Sequence, residues 1–324
     1  MNETRRQLLA ALAEGPVTGP ALATEIGVSR AAVWKQVEAL REEGFAIEST
    51  NKGYAITAVP AYGAAAIEYE LDAPYTVEYH ESIGSTNDRA RTLAADGQRD
   101  TVVVADEQTG GRGRLARSWA SPPGGIWASA VLDPSLPAAH VPLVTLAAGV
   151  AVVDACRAVG VDATLKWPND VLVGDNADSG AADEPNDGSD RGGRKLAGIL
   201  TEMEGEADRV SWLLVGVGLN ANIDADALPA GATSLYEQVG DIDRRAVLQT
   251  TLESVSTLLG DPETILARWR AYSSTLGRRV RVDTGREEIT GRAVDVQFPG
   301  ALVVDTDTGE TVVHAGDCEH LRPA

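Results

Sequence analysis

Three arginines, Arg112, Arg114 and Arg117, lie within the twelve residues from Gln108 to Trp119. A guanidinium is permanently charged and planar, and can grip a carboxylate or phosphate with two parallel N–H donors. Gly110, Gly111 and Gly113 stand among them and let the backbone approach a ligand closely. Trp119 offers a flat face for a base or a cation. The plainer alternative is a solvated basic loop. With a formal net charge of −20 on the whole chain, so much positive charge in one loop points instead to a small anionic ligand.

A second group is Lys166-Trp167-Pro168-Asn169-Asp170. A lysine between apolar strand residues is costly to bury without a partner, and Pro168 ends the ladder beside it. A structural lysine–carboxylate pair is the other reading. Only four of the 28 basic residues are lysine (35, 52, 166 and 195), which gives one in such a place more weight. Ser85, Thr86 and Asn87 open a helical pattern running to about residue 95. The Ser85 and Thr86 hydroxyls either cap the helix or sit with its free amides at a ligand oxygen. Gly216-Val217-Gly218-Leu219-Asn220 lets a strand approach something closely, a weak sign when taken alone.

These groups need a scaffold. Residues 101–105 and 126–132 are apolar or β-branched and read as strands flanking the Gly/Arg loop. Residues 76–80, 195–202 and 210–217 read as further strands. Residues 142–159 form a long core helix, with Leu143, Leu146, Ala147, Val150 and Val153 inward. Helices follow over 244–259 and 262–272. The large domain thus spans 75–273. Residues 174–193 interrupt it with six acids and no base before Arg191, a composition that cannot build a core. From 277 to 324 short strands and Gly/Asp turns predict a small barrel.

Residues 1–59 read as a separate unit. Helices are expected over 4–13, 18–26 and 29–43, with a tight turn at Gly27-Val28-Ser29 and a hairpin over 45–57. This is a winged helix-turn-helix. Ser29 caps the third helix, Arg30, Trp34, Lys35 and Arg41 face outward, and Lys52 sits at the tip of the wing. The unit holds six bases and seven acids, nearly neutral in an acidic chain. Base reading in the major groove, with Lys52 on phosphate or in the minor groove, is the sharper hypothesis; a protein-docking module is the other. Residues 60–74 read as a linker.

Composition sets limits. The balance of 48 acids to 28 bases argues against general polyanion binding. With few lysines and few aromatics, it suggests a halophilic surface. Cys156 and Cys318 form no disulfide framework, and His80, His140, His314 and His320 show no metal-ligand spacing. No apolar run approaches the ~20 residues of a membrane span, and no signal peptide is visible. A soluble cytoplasmic protein with no membrane partner is expected.

The combination resembles the biotin–protein ligase family, in its bifunctional form that also acts as the biotin operon repressor. The motifs in order are Ser85-Thr86-Asn87; Gln108 with Gly111-Arg112-Gly113-Arg114 and Trp119; Lys166 to Asp170; Lys195-Leu196-Ala197-Gly198-Ile199-Leu200-Thr201-Glu202; and Gly216 to Asn220. The resemblance covers nearly the whole chain. It implies a multidomain α+β fold: a winged helix-turn-helix, a mixed-sheet catalytic domain like class II aminoacyl-tRNA synthetases, and an SH3-like C-terminal barrel. It implies that Ser85, Thr86, Asn87 and Gln108 bind the biotin ureido end, with the backbone of Gly111 and Arg112 helping. Arg114 and Lys166 would hold the carboxylate and α-phosphate and act as the catalytic cations. Arg117, Trp119 and Asn220 would bind the nucleotide. The cofactors are ATP and Mg²⁺ with biotin as substrate; Mg²⁺ would ride on the phosphates, with Asn169 or Asp170 helping. The implied partners are a biotin carboxyl carrier domain, operator DNA through Ser29, Arg30, Trp34, Lys35 and Lys52, and a second copy in a homodimer. The main rival on the same fold is a lipoate- or octanoate-handling ligase; a rival of another class is a non-catalytic ligand-sensing transcription factor. Ala116 departs from the family, where many relatives have glycine, and alanine resists positive φ.

Overall fold

The computed structural model of the chain describes residues 3–132, 137–174, 192–206 and 209–321. The N-terminal unit comprises α1 (Glu3–Ala13), α2 (Gly19–Ile26), α3 (Arg30–Glu42), β1 (Ala46–Thr50) and β2 (Gly53–Ala58). Thr18 Oγ1 accepts from the Ala21 amide and Ser29 Oγ from the Ala32 amide, so both helix starts carry the expected caps. Gly27 adopts φ 74° between them, making the tight turn. Val33, Val37 and Leu40 of α3 are buried against Leu8, Leu9, Leu12 and Leu22. Trp34 stays 57% exposed. Arg41 does not face outward as expected: its guanidinium folds back on Ile47 O at 3.0 Å and on Ser49 Oγ at 3.0 Å, tying α3 to β1.

The expected linker is packed rather than free. It contains α4 (Ala64–Glu68), whose Ala65 and Ala66 are buried. Ile67 belongs to the large core and Ala65 and Tyr69 to the N-terminal one. Gln249 donates to the carbonyls of Ile67 (2.9 Å) and Tyr69 (2.7 Å). The small side chains that make this segment read as a linker also let a helix fit between two cores.

The central unit runs β3 (Thr76–Ile83), α5 (Thr86–Ala95), β4 (Thr101–Gln108), β5 (Ile126–Leu132), α6 (Val141–Ala158), β6 (Ala163–Lys166), β7 (Asp170–Val173), β8 (Arg194–Glu206), β9 (Arg209–Leu219), α7 (Leu235–Val239), α8 (Arg244–Leu258) and α9 (Pro262–Tyr272). Its seven-stranded sheet has the order β3-β4-β5-β9-β8-β7-β6. Only β3 and β4 are parallel; the other pairs are antiparallel. Helix α6 packs against β8 as well as α8 and α9. Helix α5 lies against β4, β5 and β9, with Ala90 and Ala94 on Val103, Val131 and Leu214. Contrary to the expectation that no apolar run approaches a membrane span, residues Ala138–Ala158 form a helical stretch apolar and long enough to cross a membrane, but 67% of its most apolar window is buried inside the fold. It is a core helix, as its inward leucines and valines require. Most of the acidic insertion lies outside the described residues.

The C-terminal unit comprises β10 (Arg279–Asp283), β11 (Glu288–Gln297), β12 (Ala301–Thr306), β13 (Gly309–Val313) and β14 (Asp317–His320). They form an antiparallel sheet in the order β13-β12-β11-β10-β14. Val280, Val282, Val296 and Leu302 join the same core as α6 and the large sheet. Trp167 fastens the units together: its backbone N–H donates to Thr275 Oγ1 (3.0 Å) and its ring N–H to Gly300 O (2.9 Å).

Candidate active site

The Gly/Arg loop leaves β4 and returns to β5 as an irregular hairpin, bridged at Gln108–Ser121 and Arg112–Ser118. Its base is held by Thr109 N to Ile83 O (2.9 Å) and Gly110 N to Gly84 O (2.7 Å). Gly111 lies buried behind the wall, where a Cβ would come within 2.6 Å of both Ser121 Oγ and Trp119 O. At the tip, Leu115 and Ala116 adopt φ 53° and 55°, so Ala116 takes the conformation that alanine was expected to resist. Left-handed backbone costs an L-residue about 1–2 kcal/mol, so this tip carries strain.

The loop overhangs a cavity of about 720 Å³ formed between the large sheet and β14. Ser85, Thr86, Asn87 and Gln108 line one end of it, and Arg112, Arg114, Arg117 and Trp119 border it from the loop. Lys166, Asn169, Asp170 and Asn220 complete the set. Of the expected ligand-binding residues, Gly111 alone is not on the wall. The expected DNA-contacting residues stand apart on the N-terminal unit, where Arg30, Trp34, Lys35 and Lys52 are exposed and Ser29 caps α3.

The polar end is organised around the N-terminus of α5. Gln108 Oε1 accepts from the Thr86 amide (2.8 Å) and from Thr86 Oγ1 (3.0 Å), while its Nε2 donates to Ser121 Oγ (3.0 Å). These bonds fix the amide orientation and leave one Gln108 N–H for a ligand acceptor. Ser129, fully buried on β5, lies 2.7 Å from Thr86 Oγ1 and 2.5 Å from Asn87 Oδ1. Asn87 Nδ2 donates to Glu202 Oε2 at 2.7 Å. Gly216 makes room for this amide, since a Cβ there would come within 2.2 Å of Asn87 Oδ1.

The cationic end is built from both units. Arg114 donates to Asn169 Oδ1 (3.0 Å) and to Gly316 O (2.8 Å) and lies 3.7 Å from Asp317. Arg117 pairs with Asp317. Lys166 is 7% exposed at the end of β6. Beside it, burial pushes the Cys318 thiol up to about 12, against the opposing pull of the Lys166 charge, so the thiol is neutral at ordinary pH. Trp119 lies across the sheet glycines: a Cβ on Gly218 would meet its Nε1 at 2.8 Å, and one on Gly198 its Cζ3 at 3.2 Å. Asn220 is held at the end of β9, its Nδ2 donating to Thr233 O (2.9 Å).

Asn169 and Asp170 do not fit the part of magnesium ligands. Asn169 bridges Arg114 and Ile199 O, and Asp170 is paired with Lys195 Nζ at 2.6 Å. Among the described residues no group of three or more His, Cys, Asp or Glu is placed to hold a metal.

The sequence reading assigned no role to Lys195, Ser129, Glu202 or Asp317. Lys195 lines the cavity, with its Nζ 5.0 Å from the Trp119 ring centroid. The scarcity of lysine that drew attention to Lys166 applied equally to it. Ser129 gave no such signal, being one small residue in an apolar strand.

Comparison with known proteins agrees with this layout. Residues 79–220 match the biotin/lipoate A/B protein ligase family, residues 4–55 an HTH domain and residues 275–321 the biotin protein ligase C-terminal domain. The bifunctional ligase/repressor BirA of Bacillus subtilis is 34% identical over 321 residues, spanning 94% of this chain and 93% of that protein. The biotin–[acetyl-CoA-carboxylase] ligase of Mycobacterium tuberculosis is 34% identical over 257 residues, 74% of this chain and 86% of that one. Among solved structures, the biotin protein ligase from Aquifex aeolicus in complex with biotin and ATP has a TM-score of 0.61 and 28% identity, covering 76% of this chain and 99% of that chain.

Proposed function

This chain belongs to the biotin–protein ligase family, and on that premise we propose how its residues divide the work of an ATP-dependent biotin–protein ligase with a DNA-binding repressor module. In the first step a biotin carboxylate oxygen attacks the α-phosphorus of ATP. The bond to the β-phosphate bridging oxygen breaks, pyrophosphate leaves, and biotinyl-5′-AMP remains. In the second step the amine of a carrier-domain lysine attacks the acyl carbon, AMP leaves, and the amine loses a proton.

Two anions must meet for the first step. Arg114, Arg117 and Lys166 offset their repulsion, and the stabilisation grows as charge develops at the α-phosphate. The N–H groups left over on Gln108 and Asn87, with the Ser85 and Thr86 hydroxyls, face the ureido ring. Gly111 supports this end from behind the wall, by keeping the loop close to Ser121. Trp119 and Asn220 take the adenine side. The Trp119 ring N–H is turned onto Gly218 of the sheet, so the ring meets the nucleotide through its face and not through a hydrogen bond. Mg²⁺ arriving with ATP would supply charge neutralisation for the leaving pyrophosphate.

The remaining assignments follow the same family reading. The large sheet is the class II aminoacyl-tRNA synthetase-like platform, and the C-terminal sheet is an SH3-like barrel. The acceptor is the biotin carboxyl carrier domain of a carboxylase. Arg30, Trp34, Lys35 and Lys52, presented by a helix whose start Ser29 caps, contact operator DNA. Strand β3, at one edge of the sheet, offers its open side to a second copy in a homodimer. The protein works in the cytoplasm, and its acidic, lysine-poor surface suits high salt.

The observation that carries this reading is the gathering of the Gln108 end, the three cations and Trp119 on one cavity. Calorimetry with biotin and with lipoate tests it. Biotin should bind and lipoate should not, because a dithiolane has no group to accept from Gln108 and Asn87. Lipoate bound with biotin ignored would refute it.

A further inference from the structure

Glu202 reaches the polar end of the cavity from β8 without bordering the cavity itself. One carboxylate oxygen accepts from Asn87 Nδ2 at 2.7 Å and the other from Arg91 at 2.5 Å. Arg91 also donates to Asp88 Oδ1 at 2.8 Å, and the same Asp88 oxygen pairs with Arg112 of the Gly/Arg loop. An unbroken chain therefore runs from the buried Ser129, through Asn87, Glu202, Arg91 and Asp88, to the loop. We propose that Glu202 is a positioning residue for the ring end of the substrate, setting the orientation of the Asn87 amide and, through Arg91, anchoring the loop arginine.

A carboxylate only accepts hydrogen bonds, so it dictates which end of the Asn87 amide faces it. Ser129 on the far side meets Oδ1. With both ends fixed, the second Nδ2 hydrogen is left for a ligand acceptor. A glutamine at 202 could both donate and accept, which frees the Asn87 amide to turn over, and it removes the charge that holds Arg91. The clearance at Gly216 agrees, because it keeps this amide seated between strands rather than displaced by a Cβ.

The inference rests on the biotin-site reading above. The test measures steady-state kinetics and biotin affinity for the full chain, wild type, E202Q, E202D, S129A and the double variant E202Q/S129A. Glu202→Gln should raise KM and Kd for biotin about tenfold, the size expected from losing one well-placed hydrogen bond to a charged group, with kcat and the melting temperature near wild type. Glu202→Asp should recover part of the loss. Because Ser129 and Glu202 act through the same Asn87 amide, the double variant should be little worse than either single one. If wild type binds biotin and E202Q binds it within twofold, or if kcat falls while KM holds, the positioning role is refuted. If wild type ignores biotin, the underlying site assignment falls first.

Discussion

Arg114 lies 3.7 Å from Asp317, a residue 203 positions further along and on the C-terminal sheet. The same carboxylate pairs with Arg117. Two of the cations assigned to the incoming anions are thus engaged by an acid of their own chain, and Asp317 competes with the ligand for them. Removing its charge should favour the ligand. The effect should be modest, because Arg117 is 67% exposed and such pairs are weak. Asp317→Asn is expected to lower the KM for ATP about threefold, read from initial rates across an ATP series. A rise in KM would show that Asp317 orients the arginines instead of competing for them.

The indole of Trp119 rests where Gly218 has no side chain. In Gly218→Ala the new methyl meets Nε1 and tilts the ring off the sheet. The KM for ATP should rise about tenfold while the Kd for biotin alone moves less than twofold, a loss on the scale of one stacking contact. Parallel calorimetry with biotin and kinetics with ATP separate the two. Equal losses for both ligands would mean that the loop as a whole had shifted.

Arg194 fixes the segment bordering the cavity beyond β9, donating to Ala232 O at 2.7 Å and pairing with Glu237. That pairing holds the Glu237 carboxyl below the usual carboxylate range. A carboxyl whose folded pKa is depressed contributes stability above its unfolded pKa of about 4.3 and loses it as pH falls through the folded value. Glu237→Gln should therefore melt below wild type at pH 7, with the gap closing below about pH 4. A gap that persists unchanged at pH 3 would place the cause in packing rather than charge.

The exposed cations of the N-terminal unit make a separable prediction. Replacing Arg30 and Lys35 by glutamine should weaken binding to operator DNA about tenfold or more at 0.1 M salt, measured by fluorescence anisotropy, with ligation rates unchanged. Equal loss of ligation would undo the assignment of two tasks to two units.

That the side chains of the site share one cavity is partly legible in the sequence, for a physical reason. Arg112, Arg114 and Arg117 stand out as positive charge gathered in one Gly-rich loop of an acidic chain, and Lys166 as a lysine among apolar strand residues that needs a partner; Asn220 carries no such signal and enters only through the family resemblance. The short strands expected from 277 onward are present as β10 to β13, because alternating apolar residues between Gly/Asp turns leave few other registers. Helix α4 was missed because alanine-rich segments carry little periodic contrast. Strand β14 spans four residues, too few to carry a pattern of its own. Ser129 and Glu202 became visible only when folding placed them on the two sides of Asn87. Such supporting contacts depend on registers between distant strands, here β5, β8 and β9, that local pattern does not encode.

If this cavity joins biotin to AMP with Lys166 as an essential cation, ATP–pyrophosphate exchange measures that step without carrier or DNA. Wild type should exchange label only when biotin is added. Lys166→Ala should lose at least about a hundredfold in rate, the scale of removing one electrostatic donor to a transition state, while melting within a few degrees of wild type. Exchange that ignores biotin, or a Lys166→Ala rate within a few-fold of wild type, would contradict the account.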